Sequence, residues 1–232
     1  MKKIELLIII PARKNSSGLK NKNLRIFNKK ILIHHSYDFA KKIKINKSIF
    51  ISTDSKKIKN IFKKNYNFHL PVLRPKKYSK KYSRDLEFVN HALQFFSDND
   101  IYFKNCLILR PTSPIRLINN FYKAYHLFKK YKCDSLKSIY PSNISPYKSW
   151  ILKNNYLKLV ARTDVHESFN APRQILPKTY YQTGGIEIIK IDYKKKIKSI
   201  SGRKILGFVV SKKESLDIDS IGDLRTGENF IK

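Results

Sequence analysis

Apolar residues occur along this chain in two patterns, as short continuous runs and at helical spacing. Residues 6–10 form a continuous apolar run, the pattern of a strand that is covered on both faces of a sheet. Further short apolar runs, typical of strands, lie at 48–52, 67–73, 106–109 and 135–139. Between the runs, apolar residues fall at helical spacing over 31–45, 55–64, 85–96 and 118–131, and Asp54 is predicted to cap the second of these helices. The alternation predicts an α/β fold with a doubly wound, mostly parallel sheet, in which ligands bind beyond the carboxyl ends of the strands.

The alternation is interrupted between about residues 140 and 183. Short, aromatic-rich extended pieces are separated there by Pro141, Pro146, Pro172 and Pro177. Apolar strand patterns return at 185–191 and 205–210. With 232 residues and 41% hydrophobic content, the chain fits one domain over 1–232 that carries an insertion at about 140–183, either a lid or an oligomer contact.

Composition adds limits on location and class. No run of about 18 apolar residues is present, so no membrane span is predicted. The apolar run near the N-terminus lacks a small-residue cleavage site and is better explained as a buried first strand than as a signal peptide. Cys106 and Cys133 fit neither a disulfide framework nor a metal cluster. These features predict a cytoplasmic protein.

Charge is the most extreme property of the composition. The chain has 49 Lys and Arg against 17 Asp and Glu, a formal net charge of +32. Such an excess can indicate nucleic-acid binding, but these lysines are spread over the whole length and no RNA-binding motif is present. We therefore expect a largely solvated basic surface without a nucleic-acid partner, although polyanionic substrates would be attracted to it.

The loop after the first strand is a candidate anion site. A strand followed by a small-residue turn directs several backbone N–H groups to one point, and basic side chains beside it can neutralise phosphate oxygens. The candidate residues are Ala12, Arg13, Asn15, Ser16, Gly18, Lys22 and Asn23. The spacing is neither a Walker motif nor G-x-G-x-x-G, and a plain basic surface loop is the alternative.

Asp217 and Asp219 are a candidate metal site. Residues i and i+2 of an extended backbone project from the same face, and two carboxylates so placed can hold Mg²⁺ or Mn²⁺. The alternative is a turn and helix-capping role before Ser220.

Two proline-stiffened loops offer further polar side chains. Residues 110–116, RPTSPIR, follow a buried strand and could either bind an anionic, hydroxylated ligand or serve as a rigid connection. Residues 169–174, FNAPRQ, present another arginine, and Arg74 and Lys148 are weaker candidates.

Taken together, these motifs resemble the acylneuraminate cytidylyltransferase family, which makes CMP-activated nonulosonic acids. The matching segments keep the family's order along nearly the whole chain. They are ARKNSSGLKNKN at 12–23, STD at 52–54, LRP at 73–75, RPTSPIR at 110–116, NAPRQILP at 170–177, QTGG at 182–185 and LDIDS at 216–220.

The resemblance implies a fold, a reaction and roles for the candidate residues. CTP and an acidic nine-carbon sugar would give a CMP-sugar and pyrophosphate, with Mg²⁺ or Mn²⁺ on Asp217 and Asp219. Arg13, Lys22 and Asp219 would be catalytic, the first loop and Arg74 would bind CTP, and the insertion would form a homodimer contact. The residues placed near the sugar acid, some from the neighbouring subunit, are Arg110, Thr112, Ser113, Lys148, Arg173, Gln174, Thr183 and Gly184.

The chain departs from the family pattern at four positions. Ser17 stands where the family usually has lysine, so Arg13, Lys20 and Lys22 would have to supply that charge. Arg110 replaces a common glutamine, Thr183 an asparagine and Lys81 an aspartate. The alternatives that remain are a cytidylyltransferase for the eight-carbon acid Kdo, a basic nucleic-acid-binding protein and an inactive scaffold.

Overall fold

A six-stranded sheet forms the centre of the protein, seen in a computed structural model that describes residues 1–15, 18–192 and 196–231. The strands are β1 Lys2–Pro11, β2 Ile26–Phe27, β3 Lys30–Ile31, β4 Lys47–Ser52, β5 Ile101–Ile108, β6 Ser135–Pro141, β7 Trp150–Lys153, β8 Tyr156–Leu159, β9 Tyr180–Lys190 and β10 Ile205–Val209. The α-helices are α1 Leu32–Lys42, α2 Lys56–Tyr66, α3 Asp85–Ser97, α4 Ile118–Lys130 and α5 Ile221–Asn229.

The strand order of the sheet is β10-β6-β9-β5-β1-β4. β1 is parallel to β4 and β5, and β10 is parallel to β6, whereas β9 runs antiparallel to both of its neighbours. The prediction of a doubly wound, mostly parallel α/β fold is confirmed, with β9 as the reversed strand.

Successive residues of β1 supply the two faces of the core. Leu6 and Ile8 belong to the cluster that packs against α1, α2 and α4, while Leu7 and Ile9 belong to the cluster that packs against α3. All four side chains are fully buried, and burial of each such side chain contributes roughly 1.5–3 kcal/mol. This explains why the run of apolar residues at 6–10 is unbroken.

Two local predictions are wrong. The segment 67–73 is a loop and not a strand, because Asn67 ends α2 in the left-handed conformation and Pro71 and Pro75 lack the N–H groups that a strand needs. The N-cap of α2 is Ser55, whose Oγ accepts from the N–H of Ile58 at 3.3 Å, and not Asp54. Asp54 instead holds the loop after β1, as described below.

The region between β6 and β9 has its own small sheet. β7 and β8 form an antiparallel hairpin, and Ile151, Leu152 and Leu157 on it are 54%, 69% and 59% exposed. Central-sheet pairing resumes at Tyr180, opposite Pro141, so the irregular segment ends slightly before residue 183.

The described helices include none that is both long and apolar enough to cross a lipid bilayer. Cys106 and Cys133 are free and buried.

Candidate active site

A cavity of about 460 Å³ opens at the edge of the sheet where β1, β4 and β5 end. Its walls contain seven of the candidate site residues, namely Arg13, Lys22, Asn23, Arg74, Arg110, Thr112 and Asp217. The remaining lining residues are Pro11, Tyr78, Lys81, Ser83, Arg84, Asp85, Phe88 and Pro111. The fold class predicts that ligands bind beyond the carboxyl ends of the strands. The cavity that holds these seven candidates lies there.

The loop after β1 is held by backbone and side-chain hydrogen bonds. The N–H of buried Ala12 donates to the carbonyl of Ser52 at 2.9 Å, and the N–H of Lys14 donates to Oδ1 of Asp54 at 2.6 Å. Nδ2 of the buried Asn23 donates to the carbonyl of Arg13 at 3.1 Å. These contacts direct the Arg13 side chain into the cavity. Asn15 is exposed and is not one of the lining residues, and Ser16 and Ser17 lie outside the described residues.

The segment 214–219, which carries the two candidate metal ligands, is held by hydrogen bonds to the start of α4 and to the loop after β5. Buried Glu214 accepts from the backbone N–H of Leu117 at 3.3 Å and from Nδ2 of Asn120 at 2.8 Å, at the start of α4. The N–H of Ile218, which is fully buried, donates to the carbonyl of Thr112 at 2.8 Å. Burial of Ile218 leaves its neighbours Asp217 and Asp219 exposed.

The first loop and the acidic segment meet. Lys22 forms an ion pair with Asp219, and a Cβ on Gly18 would lie 2.9 Å from the carbonyl oxygen of Asp219. Glycine is therefore needed at position 18 because the two backbones approach too closely for a side chain.

Asp217 and Asp219 are the candidate ligands for a divalent cation. Among the residues that the structure describes, no cluster of three His, Cys, Asp or Glu side chains could hold a metal ion. Asp217 lines the cavity, and Asp219, which is not one of its lining residues, pairs with the lining residue Lys22. Mg²⁺ commonly takes one or two carboxylates together with water and substrate phosphate oxygens. The donor set fits that kind of ion.

Arg74 lies at the base of the cavity. Its Nε donates to Oγ of Ser52 at 2.9 Å, its Nη2 donates to the carbonyl of Ser52, and its guanidinium stacks 5.0 Å from the ring centre of Phe88. Burial lowers the pKa of Arg74 to about 10, although Asp54 and Asp85 act in the opposite direction. Arg74 remains a cation at neutral pH.

Arg110 is part of a chain of alternating charges. Its Nη2 pairs with Asp85 and with buried Glu187, which is 3.1 Å away, and Glu187 also pairs with Lys137 at 2.6 Å. Burial alone would lower the pKa of the Arg110 guanidinium, but the two carboxylates raise it above its usual value. The positive charge at this position is thus already compensated inside the protein.

Three other predicted sugar contacts lie beneath Arg110. Thr183 is 2% exposed and its Oγ1 is 2.6 Å from Oγ of Ser138, while Ser113 is fully buried. A Cβ on Gly184 would lie 2.5 Å from Oγ of Ser113 and 3.0 Å from Cδ of Arg110. These residues support the cavity floor, whereas Arg110 and Thr112 lie on its wall.

Lys148, Arg173 and Gln174 are not among the residues that line this cavity. They lie in the segment between β6 and β9, where Nη1 of Arg173 donates to the carbonyl of Asn143 at 3.1 Å. Within one chain the structure therefore does not bring them together with Arg13 and Asp217.

Sequence reasoning missed the wall formed by residues 78–85. Tyr78, Lys81, Arg84 and Asp85 line the cavity, but of these only Lys81 stood out in the sequence, as a departure from the family pattern. The doubled KKYS at 76–83, which begins two residues after Arg74, is the signal that could have pointed to this wall. Lys20, expected to supply charge, does not line the cavity.

The chemistry that this arrangement supports is binding and transfer of a polyanion. Six cationic side chains line one cavity, together with Asp85 and Asp217. Phosphoryl-type transfer depends on positioning and charge stabilisation more than on a covalent protein intermediate.

Comparisons with known proteins agree with this chemistry. A family model described as cytidylyltransferase matches residues 7–140. The chain is 31% identical to the CMP-N,N'-diacetyllegionaminic acid synthase of Campylobacter jejuni, over 98% of this chain and 95% of that protein. It is 28% identical to the N-acylneuraminate cytidylyltransferase of Escherichia coli O18:K1:H7, over 93% of this chain but only 49% of that protein, so it spans about half of that longer relative.

A similar fold occurs in the solved structure of CMP:2-keto-3-deoxy-manno-octonic acid synthetase complexed with CTP. The TM-score is 0.68 at 14% identity, and the match covers 98% of both chains. At this identity the likeness concerns the fold.

Proposed function

The chain belongs to the cytidylyltransferase family, and from that premise we propose that it transfers CMP from CTP to the anomeric hydroxyl of a nonulosonic acid, releasing pyrophosphate. The observation that carries the proposal is one cavity that joins Arg13 and Lys22 of the first loop to the acidic segment of Asp217 and Asp219. The names of the relatives, which are synthases of CMP-legionaminic and CMP-acylneuraminic acids, support the nine-carbon acid as the acceptor.

In the proposed reaction, the sugar hydroxyl attacks the α-phosphate in line and pyrophosphate leaves. Arg13 and Lys22 stabilise the charge that develops on the pyrophosphate, because fixed cations act most strongly where charge appears in the transition state. Arg74 holds the nucleotide end at the base of the cavity, and Arg110 and Thr112 form the wall that faces the sugar.

Mg²⁺ is the proposed cofactor, with Mn²⁺ as a substitute. Asp217 and Asp219 would hold it, and when bound it supplies charge neutralisation for the phosphate oxygens. Lys22 pairs with Oδ1 of Asp219, so a cation on that carboxylate would either share it with Lys22 through Oδ2 or displace the ammonium.

We also propose that two copies assemble through the segment between β6 and β9. Its hairpin exposes Ile151, Leu152 and Leu157, and Leu152 lies directly opposite Leu157 on one face of the hairpin. Exposed apolar side chains that are neighbours in this way are typical of a protein contact. A second copy would also bring Lys148, Arg173 and Gln174 to a cavity that they do not line within one chain. A cytoplasmic location completes the proposal and suits the two free cysteines.

A pyrophosphate-release assay tests the proposal. The purified protein is incubated with CTP, Mg²⁺ and one sugar at a time from a panel of N-acetylneuraminic, legionaminic and pseudaminic acids and Kdo. Release with at least one nonulosonic acid, and formation of the CMP-sugar by mass spectrometry, is the expected result. Pyrophosphate release with Kdo but with none of the nonulosonic acids would overturn the proposal, and so would the absence of release with every sugar of the panel.

A further inference from the structure

We propose that Lys81 binds the phosphate chain of CTP, from the wall of the cavity formed by the segment 76–84. The inference rests on the proposed function and assigns a contact for the same nucleotide. It draws on the position of Lys81, on the occupation of the neighbouring cations and on a matched lysine four residues earlier.

Lys81 lies beside Arg13. Nη1 of Arg13 donates to the carbonyl of Lys80 at 2.9 Å and to the carbonyl of Lys81 at 3.2 Å. The backbone of Lys81 is therefore within one hydrogen bond of the guanidinium that is proposed to face the triphosphate. Lys81 is itself one of the residues that line the cavity. An anion that lies against Arg13 is within reach of a lysine side chain that starts at this point.

The cations of the cavity differ in whether they already have a partner. Several cations of the cavity already have polar partners, since Lys22 pairs with Asp219, Arg110 with Asp85 and Arg74 with Ser52. Nζ of Lys81 lies 5.4 Å from the ring centre of Tyr82, and no ion pair with a carboxylate is found for it within the part of the chain that the structure describes. A lysine ammonium with only an aromatic face beside it can bind a phosphate without first breaking a salt bridge.

Lys81 and Lys77 have the same local sequence but differ in their position relative to the cavity. Residues 76–79 and 80–83 have the same sequence, KKYS, and Lys77 lies 5.0 Å from the ring centre of Tyr78 as Lys81 does from that of Tyr82. Both lysines are exposed, but only Lys81 lines the cavity. Lys77 is thus a control with the same residue type, local sequence and aromatic neighbour.

The experiment compares Lys81→Ala, Lys81→Arg and Lys77→Ala with the unaltered protein by calorimetric titration with CTP and, separately, with inorganic pyrophosphate. We expect Lys81→Ala to weaken both by about tenfold at moderate salt, equivalent to about 1.4 kcal/mol. Lys81→Arg should keep most of the affinity, Lys77→Ala should stay within about twofold, and the affinity of Lys81→Ala should depend less steeply on salt. Circular dichroism confirms that each variant is folded.

The outcomes separate this inference from the proposed function. If Lys81→Ala binds CTP and pyrophosphate as well as Lys77→Ala does, Lys81 is not a phosphate contact. If Lys81→Ala changes the KM of the sugar and leaves pyrophosphate binding unchanged, its partner is the sugar carboxylate and the inference is likewise overturned. If the unaltered protein binds CTP but no sugar reacts, the proposed function fails while the binding data still decide the role of Lys81. Failure of the unaltered protein to bind CTP would overturn both.

Discussion

Lys22 and Asp219 are 197 positions apart in the chain and form an ion pair at the mouth of the cavity. The side chain of Asp219 is 69% exposed and that of Lys22 is 15% exposed, and ion pairs with a solvent-exposed carboxylate typically contribute about 0.2–1 kcal/mol. The pair therefore brings the first loop and the acidic segment together but opens at little cost. In the proposed reaction each partner would exchange the other for a ligand, Lys22 for phosphate oxygens and Asp219 for a divalent cation.

The first prediction concerns that carboxylate. Asp219→Asn keeps the size and shape of the side chain but removes its charge and one acceptor oxygen, so turnover should fall by roughly 100-fold or more. The unfolding midpoint should change little because the residue is exposed. Pyrophosphate release at saturating Mg²⁺ measures the loss, and Asp100→Asn, an exposed position outside the cavity, is the control. Near-normal turnover of the Asp219 variant would remove this residue from the mechanism.

The second prediction concerns the contact between the two backbones. In Gly18→Ala, the new Cβ would lie 2.9 Å from the carbonyl oxygen of Asp219, so the first loop or the acidic segment has to move. A misplacement of about 1 Å can cost roughly 100-fold in rate. We expect a lower kcat with stability changed by less than about 1 kcal/mol, since the site is at the surface. Gly222→Ala, whose Cβ would meet Oγ of Ser220 at an ordinary 3.5 Å, is the matched control, and equal kcat values for the two variants would contradict the prediction.

The sequence predicts the strands and helices that have a periodic apolar pattern. It does not predict the role of a residue that depends on a single long-range contact. The apolar run at 6–10 and the helix beginning at Asp85 were recognised because a whole face of the element is buried. Asp54 was assigned to the wrong role because its carboxylate accepts from the N–H of Lys14, which lies 40 positions away. Such a long-range hydrogen bond leaves no local pattern.

The site shows the same division. Motifs located Arg13, Lys22, Arg74 and Asp217, which meet in one cavity. The resemblance places Arg110 near the sugar acid, and the structure pairs its guanidinium with Asp85 and Glu187. Those acids come from α3 and β9, and only the folded chain brings them to the same guanidinium.

The third prediction tests this network. Arg110→Gln leaves Glu187, which is 2% exposed, with Lys137 as its remaining cationic partner, and the free energy of unfolding should fall by about 1–3 kcal/mol. Asp85→Asn should lower the free energy of unfolding less in the Arg110→Gln variant than in the unaltered protein, because the positive charge of Arg110 is already absent there. Urea unfolding of the two single variants and the double variant measures this coupling. Strict additivity would show that Asp85 and Arg110 do not interact energetically.

The fourth prediction concerns the exposed hairpin. Leu152→Glu places a charge in the apolar surface of β7 and should convert the proposed dimer into a monomer, with sedimentation velocity as the measurement. Activity should fall with it, since Lys148 and Arg173 would no longer reach a neighbouring cavity. Lys158→Glu on β8 is a control for added negative charge on the hairpin. A monomeric unaltered protein with full activity would contradict the proposed assembly.

The fifth prediction concerns stability against pH. His34 is 6% exposed, its Nε2 has no hydrogen-bond partner within the described structure, and its ring packs edge-on against Tyr66 at 4.9 Å. Burial lowers the pKa of His34, and nearby Lys30 adds to the effect while Asp38 opposes it. The unfolded chain therefore takes up a proton near pH 6.5 that the folded chain resists, so the free energy of unfolding should fall as the pH drops from about 7.5 to about 5.5.

Replacement of the ring tests the assignment. His34→Phe keeps an aromatic side chain but cannot be protonated, so its unfolding free energy, measured with urea at several pH values in that window, should depend less on pH than that of the unaltered protein. His126→Gln, at an exposed position of α4, should leave the dependence unchanged. The pKa values of His35 and His91 are also lowered by burial, so the slope of the His34 variant should shrink without vanishing. An identical slope in the two variants would show that the folded protein accommodates a protonated His34 without cost.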